Sequence, residues 1–256
     1  MNKNLVLGLY FTLGISTLWA QEKAKHEDTE FYEPVPNVVT PGKLPSEPPS
    51  DAIILFKEGN LDQWVSNSDH SSPVKWEVHG HYFTVKKGTG NIETKQKFLN
   101  YQLHVEWKIP SNITGEGQAR GNSGIFLAST GDGDGGYELQ VLDGYNNKTY
   151  VNGMVGSIYK QFIPLVNAAK KPGEWQTYDI IWTAPIFNTD SSLSSPARAT
   201  VFFNGVLVQN NVSLKGETRW IGQPFYKKHG ACPIKLQAHG DKSEPISYRN
   251  IWVREL

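Results

Sequence analysis

The chain has 256 residues with 25 Lys and Arg against 25 Asp and Glu, so its formal net charge is zero and no field holds a polyanion, which excludes nucleic acid as its main partner. Hydrophobic residues make up 38% and aromatics 12%, a composition that folds rather than one that stays disordered. Cys232 is the single cysteine, which excludes an internal disulfide and any multi-cysteine zinc or iron–sulfur centre.

The N-terminus has the pattern of a secretory signal. Lys3 gives a positive start, Leu5 to Trp19 is mostly apolar, and Ala20 is a small residue ahead of Gln21-Glu22-Lys23, so residues 1–20 are expected to be a cleaved signal peptide. The apolar run of about 15 residues falls short of the roughly 20 that a spanning helix needs, so no membrane insertion is expected. No cysteine follows it for lipid attachment. A secreted chain with one thiol points to a bacterial periplasm or cell exterior, where a large core can replace cross-links. In that setting the sequons at Asn112, Asn147 and Asn211 are coincidental. Residues 21–50 carry six of the fifteen prolines, Pro34, Pro36, Pro41, Pro45, Pro48 and Pro49, and read as an extended linker or a surface arm.

Residues 51–256 read as one domain of short strands: Ala52–Phe56, Val74–Val78, Tyr82–Lys86, Asn91–Thr94, Tyr101–Ile109, Ser123–Ala128, Tyr137–Leu142, Gly153–Tyr159, Gln176–Thr183, Arg198–Phe203, Val206–Gln209, Ile234–Ala238 and Ser247–Arg254. Thirteen such segments with no sustained helical period predict an all-β sandwich or barrel. Asn204-Gly205 suits a type I′ hairpin, and His79-Gly80 marks a second. Gly131, Gly133, Gly135 and Gly136, interleaved with Asp132 and Asp134, fit neither a dinucleotide fingerprint nor an EF-hand and are expected to form a flexible loop at the rim of the sheet.

Strand parity picks out candidate functional residues. In Tyr137–Asp143, Leu139 and Val141 face one side while Glu138 and Gln140 face the other. In Ile234–His239, Leu236 and Ala238 face the core while Lys235, Gln237 and His239 lie opposite. Were that face a groove, Glu138 and His239 could share a site. The mixture suits a sugar, since carboxylate, imidazole and amide groups bind hydroxyls and aromatic rings cover the apolar ring faces. Tyr137, Tyr145, Tyr159, Trp220 and Tyr226 are the candidate rings. Arg120 and Asn122 could hold sugar oxygens or pin a loop, and Asp143 could be catalytic or start a turn. His239 with Glu138 or Asp143 could also coordinate a divalent ion.

Seven motifs in order, GNSGIFLAS (121–129), YELQVLD (137–143), NGMVGSIYK (152–160), KPGEWQTYDIIW (171–182), VFFNGVLV (201–208), IKLQAHG (234–240) and ISYRNIWVREL (246–256), resemble the secreted bacterial 3-keto-disaccharide hydrolase domain family over about residues 52 to 256. The resemblance implies a concanavalin A-like lectin/glucanase jelly roll, a two-sheet antiparallel β-sandwich whose concave face binds carbohydrate, and action on 3-keto glycosides. By position it implies Glu138, Gln140 and His239 as polar site residues, with Arg120, Asn122 and Lys160 as neighbours. A ketone at C3 acidifies the C2 proton, so a base and an acid suffice for elimination of the C1 substituent followed by hydration. Glu138 and His239 fill those roles in one order or the other. An ordinary retaining glucanase is disfavoured, because Gln140 stands where that pattern has an Asp. The alternative is a non-catalytic, lectin-like carbohydrate-binding module.

Overall fold

The computed structural model describes residues 24–240 and 244–256, so the expected signal segment lies outside the described residues. The chain divides into two units, Met1–Val38 and Val39–Leu256. Of the first, residues 24–38 are described: they are exposed and hold one 3-10 turn, His26–Thr29. The second unit takes in the later part of the proline-rich stretch, residues 39–50, as a surface strap. There the Ser46 carbonyl accepts hydrogen bonds from Asn250 Nδ2 at 2.9 Å and Trp252 Nε1 at 3.1 Å.

Fifteen strands occur among the described residues: β1 (Ile53–Phe56), β2 (Trp64–Ser66), β3 (Glu77–Val78), β4 (Phe83–Thr84), β5 (Ile92–Thr94), β6 (Tyr101–Lys108), β7 (Ser123–Ser129), β8 (Gly136–Val141), β9 (Trp175–Thr183), β10 (Ile186–Phe187), β11 (Leu193–Ser195), β12 (Arg198–Phe203), β13 (Val206–Ser213), β14 (Lys235–Leu236) and β15 (Ser247–Glu255). One antiparallel sheet runs β13-β12-β9-β6-β15-β4-β3, with β1 also paired to β15. A second, smaller sheet runs β2-β5-β14-β7-β8, and β10 pairs with β11 in a separate two-stranded ribbon. Packed face to face the two sheets form the expected all-β jelly roll.

Alternation builds the core between them. In β9 Tyr178, Ile180 and Trp182 are buried, and they pair in register with Val105, Leu103 and Tyr101 of β6. Three tyrosines of the larger sheet reach across to the smaller one. Tyr101 Oη donates to the Leu127 carbonyl at 2.5 Å, Tyr178 Oη donates to the Gln140 carbonyl at 2.8 Å, and Tyr248 Oη lies 2.8 Å from Ser123 Oγ. Each satisfies its own buried hydroxyl and fixes the height of a site-bearing strand.

The Asn204-Gly205 turn forms as expected, with φ of 51° and 78°. Segment 153–159 departs from the expected strand. Gly156 takes φ of 80°, which breaks the ladder, so the chain meets β8 irregularly through Gly156 N to Gln140 O, Gln140 N to Ser157 O and Tyr159 N to Glu138 O. It thereby covers the edge of β8. The short strands β2, β10 and β11 have too little alternating sequence to announce themselves.

On the outer face of the larger sheet, His104 stacks on Trp252 and its Nδ1 lies 2.7 Å from Asp179 Oδ1. Beside it, Glu106 accepts from Arg249 Nε at 2.6 Å and Asn250 Nδ2 at 2.9 Å. Burial alone would raise the Glu106 pKa, but hydrogen bonds from His104, Asn250 and Arg249 outweigh it and hold the carboxyl at about 2. A depressed folded-state pKa gives stability that is present above the ordinary value of 4.5 and is lost as pH falls toward 2. Glu106→Gln should therefore lower Tm at pH 7 and flatten its decline between pH 5 and 2, as thermal melts across that range would show; an unchanged acid slope would exclude this network as a source of acid sensitivity.

Candidate functional site

Register places the site. Glu93 of β5 pairs with Lys235 of β14, Lys235 with Phe126 of β7, and Phe126 with Glu138 of β8, so the four side chains form one row across the outer face of the smaller sheet. Residues two along each strand continue that face, which brings Gln237 and Gln140 to the next row on either side of Gly124.

Lys235 is wholly buried, although a charge on an outer face would ordinarily reach water. Its Nζ donates to the carbonyls of Gly131 at 3.2 Å, Gly133 at 2.8 Å and Gly135 at 2.7 Å, and stands 4.5 Å from the centre of the Phe126 ring. The glycine-rich segment is thus a carbonyl cradle clasped over the row, where a flexible rim loop was expected. Gly133 and Gly136 adopt φ of 60° and 134°, and a Cβ on Gly136 would lie 2.2 Å from the Ala128 carbonyl oxygen. Burial pulls the Lys235 pKa down to about 8, against the raising effect of Glu93, Asp134, Glu138 and Asp132.

Beside this clasp lies a cavity lined by Asn122, Asp134, Glu138, Gln140, Tyr159, Thr218, Trp220, Gln237 and His239. Parity thus brings Glu138, Gln140, Gln237 and His239 together, with Asn122 and Tyr159. Glu138 is 5% exposed and its carboxyl lies over Gly124, where a Cβ would stand 2.6 Å from Oε1. Burial, reinforced by Asp134 and opposed by Lys235, pushes its pKa up to about 8.

A chain of amides orients the rest. Gln140 Nε2 donates to Asn122 Oδ1 at 3.0 Å, Asn122 Nδ2 donates to the Gln118 carbonyl at 2.9 Å, and the same Nδ2 lies 3.4 Å from His239 Nε2. Asn122 thereby presents its amide group to the His239 ring. Gln237 Nε2 donates to Asp134 Oδ1 at 3.0 Å. The side-chain amide oxygens Gln140 Oε1 and Gln237 Oε1 are buried with no hydrogen-bond partner among the described residues. Both are acceptors on side chains that line the cavity.

Other candidates sit elsewhere. Arg120 and Asp143 do not line the cavity: Arg120 Nε donates to Asp143 Oδ2 at 2.6 Å, and Asp143 Oδ1 accepts from Tyr145 N at 3.0 Å, so the pair pins the loops that enter and leave the site strands. Lys160 supports the rim, its Nζ donating to the Trp220 carbonyl at 2.6 Å. Tyr137 is a core residue with its Oη 3.0 Å from His229 Nε2, and Tyr226 Oη donates to the Leu214 carbonyl. Asp134, Thr218 and the clasp of Lys235 escaped the sequence reading; Asp134 was signalled only by the Asp-Gly alternation. Among the described residues no group of three or more His, Cys, Asp or Glu side chains is arranged to hold a metal ion. The Cys232 thiol is buried and pushed up to about 11 by that burial, so it is a poor nucleophile.

The family model described as the 3-keto-alpha-glucoside-1,2-lyase-like domain matches residues 51–254. A crystal structure of a candidate glycosyl hydrolase from Parabacteroides distasonis is 57% identical, with a TM-score of 0.83 over 91% of this chain and 97% of that one. Two further candidate glycosyl hydrolases of that organism, at 17% and 22% identity, have TM-scores of 0.56 and 0.55 over 80% and 78% of this chain and 94% and 98% of theirs, and share the fold. Curated proteins give no match.

Removing the ammonium while keeping its stem leaves inward-pointing carbonyls without a donor. Lys235→Met should cost about 3 kcal/mol, or roughly 6–12 °C in Tm, with faster amide exchange confined to residues 131–136 and their neighbours. Unchanged exchange there would show that the loop holds itself.

Proposed function

This chain belongs to the 3-keto-alpha-glucoside-1,2-lyase-like domain family, and from that premise we propose that it cleaves 3-keto glycosides at C1 by elimination and rehydration. The family and the similar solved structures support a carbohydrate-active, glycoside hydrolase-like role. The observation that carries the finer reading is the convergence of a buried carboxyl, Glu138, and an imidazole, His239, on one cavity with the side chains of Gln140 and Gln237, whose amide oxygens have no partner among the described residues.

A carboxyl whose pKa is about 8 is protonated at neutral pH and serves as an acid. In this reading His239 Nε2 removes the C2 proton, the C2–H electrons form the C1–C2 double bond, and the C1–O bond breaks toward the departing oxygen. Glu138 gives that oxygen its proton. Water then adds its oxygen to C1, the imidazolium returns a proton to C2, and Glu138 regains its own from the water. Gln140 and Gln237 hold ring hydroxyls through their side-chain amides, while Tyr159 and the exposed Trp220 offer aromatic faces at the rim. The same proposal places the protein in the periplasm or outside the cell, on the signal pattern of residues 1–20.

Purified protein should release the aglycone from a 3-keto glucoside and leave the unoxidised parent intact. Glu138→Gln and His239→Ala should each lower kcat/KM by about 100-fold or more with Tm nearly unchanged. Because Glu138 acts protonated, turnover should fall as pH rises through about 8. Sugar binding with no turnover of either compound would turn the reading to a carbohydrate-binding module.

A further inference from the structure

Taking the C2 proton from a 3-keto glycoside moves negative charge onto the oxygen at C3, and a donor placed where that charge develops is a large contribution to such a rate. Glu138 and His239 serve C1 and C2, and neither serves that oxygen.

Tyr159 stands where such a donor is needed. Leu139 of β8 bridges antiparallel to Ile158, so Glu138 and Tyr159 lie opposite one another and their side chains share the outer face of the smaller sheet. The hydrogen bond from Tyr159 N to the Glu138 carbonyl, at 3.0 Å, fixes that pairing. Residues so opposed start their side chains about 5 Å apart, comparable to the separation of the C1 and C3 oxygens on one sugar ring. Tyr159 lines the cavity with Glu138 and is partly exposed. Burial raises its pKa most, the hydrogen bond with Tyr150 adds to that, and the carboxyls of Glu138 and Asp134 act in the same direction, so the phenol keeps its proton as a donor must.

A second hydroxyl stands behind it. Tyr150 Oη is 2.6 Å from Tyr159 Oη, so one of the two donates to the other. When Tyr150 donates, the Tyr159 proton is left for the cavity and the bond behind it strengthens the donor. The Tyr150 ring is seated against Gly153, where a Cβ would stand 1.9 Å from Tyr150 Cε2. Lys160 Nζ, 5.8 Å from the centre of each ring, favours negative charge beside the pair. Other donors of the wall are turned elsewhere: Asn122 Nδ2 to the Gln118 carbonyl and Gln140 Nε2 to Asn122 Oδ1, while Thr218 Oγ1 accepts from the Glu138 backbone N–H at 3.0 Å.

We propose that Tyr159 is a further catalytic residue, its hydroxyl donating to the C3 oxygen, and that Tyr150 is a positioning residue that donates to Tyr159. As His239 takes the C2 proton, the C2–H electrons form the C2–C3 double bond and the carbonyl pair moves onto the C3 oxygen, where the Tyr159 proton meets it without being transferred. That pair then restores the C3 carbonyl, the C2–C3 pair shifts to C1–C2, and the C1–O bond breaks toward the oxygen that Glu138 protonates. The proposal rests on the keto-glycoside reading of the cavity, so the test separates the two.

3-Keto-1,5-anhydroglucitol has no aglycone at C1, so exchange of its C2 proton in heavy water, followed by NMR, reports enolisation alone; release of methanol from methyl 3-keto-glucoside reports the full reaction. Tyr159→Phe keeps the ring and should slow both exchange and kcat by about 100-fold or more, with KM held within about threefold. Tyr150→Phe should slow both by about tenfold. Exchange at the wild-type rate in Tyr159→Phe, or a loss carried by KM alone, overturns the proposal and leaves the keto-glycoside reading intact. A wild type that neither exchanges the C2 proton nor releases methanol overturns both. Should Tyr159→Phe not fold, Tyr150→Phe decides, and wild-type exchange in it overturns the proposal.

Discussion

The site depends on one buried ammonium. Taking an unpaired cation out of water costs several kcal/mol, and the chain answers that cost at Lys235 with three glycine-loop carbonyls, the face of Phe126 and a surround of carboxylates. The clasp has a geometric result, because a loop tied down at its carbonyls presents Asp134 to Gln237 and closes over the row that includes Glu138. It also has an electrostatic one. The enclosure that pulls Lys235 down to about 8 raises Glu138 to about 8, so a carboxyl that would ordinarily be ionised keeps its proton near neutrality.

The two sheets divide the work. The larger supplies the tyrosines that cross the core and bond to the backbone or a hydroxyl of the smaller, holding β7 and β8 at fixed height. Relieved of that task, the outer face of the smaller sheet can carry polar groups around Phe126 without losing its place. Gly124 shows how close the fit is: a residue with no side chain at the centre of the neighbouring row is what lets the Glu138 carboxyl lie over the strand. Charged networks on the outer face of the larger sheet, such as His104 with Asp179 and Glu106 with Arg249, are satisfied within themselves and do not line the site cavity.

Much of this was legible in the sequence because a strand has period two. Glu138 with Gln140, and Gln237 with His239, declare a shared face as soon as Leu139, Val141 and Leu236 are assigned to the core, and that is the face the structure shows. What was not legible depends on partners far apart in the chain. Arg120 and Asp143 have the residue types of a site, yet their proximity to each other, 23 positions apart, turns both into a pin. The glycine-rich loop lacks a ligand motif because its ligand is Lys235, about a hundred residues later. Segment 153–159 has a strand's composition, but Gly156 takes a backbone angle that composition does not reveal.

The pattern of unpaired atoms ties the overall neutrality of the chain to its chemistry. A buried acceptor without a donor costs about 1–3 kcal/mol, so such atoms are retained where a ligand repays them. Among the described residues eight buried side-chain polar atoms lack a partner, and two of them, Gln140 Oε1 and Gln237 Oε1, belong to residues that line the site cavity. Both can accept a hydrogen bond, which is what a molecule covered in hydroxyl groups offers. A charged ligand would be recognised by a field, and this chain, with 25 charges of each sign, has none to spare. Recognition has to come from placed acceptors, and placed acceptors need a wall that does not yield, which the loop held shut by Lys235 supplies.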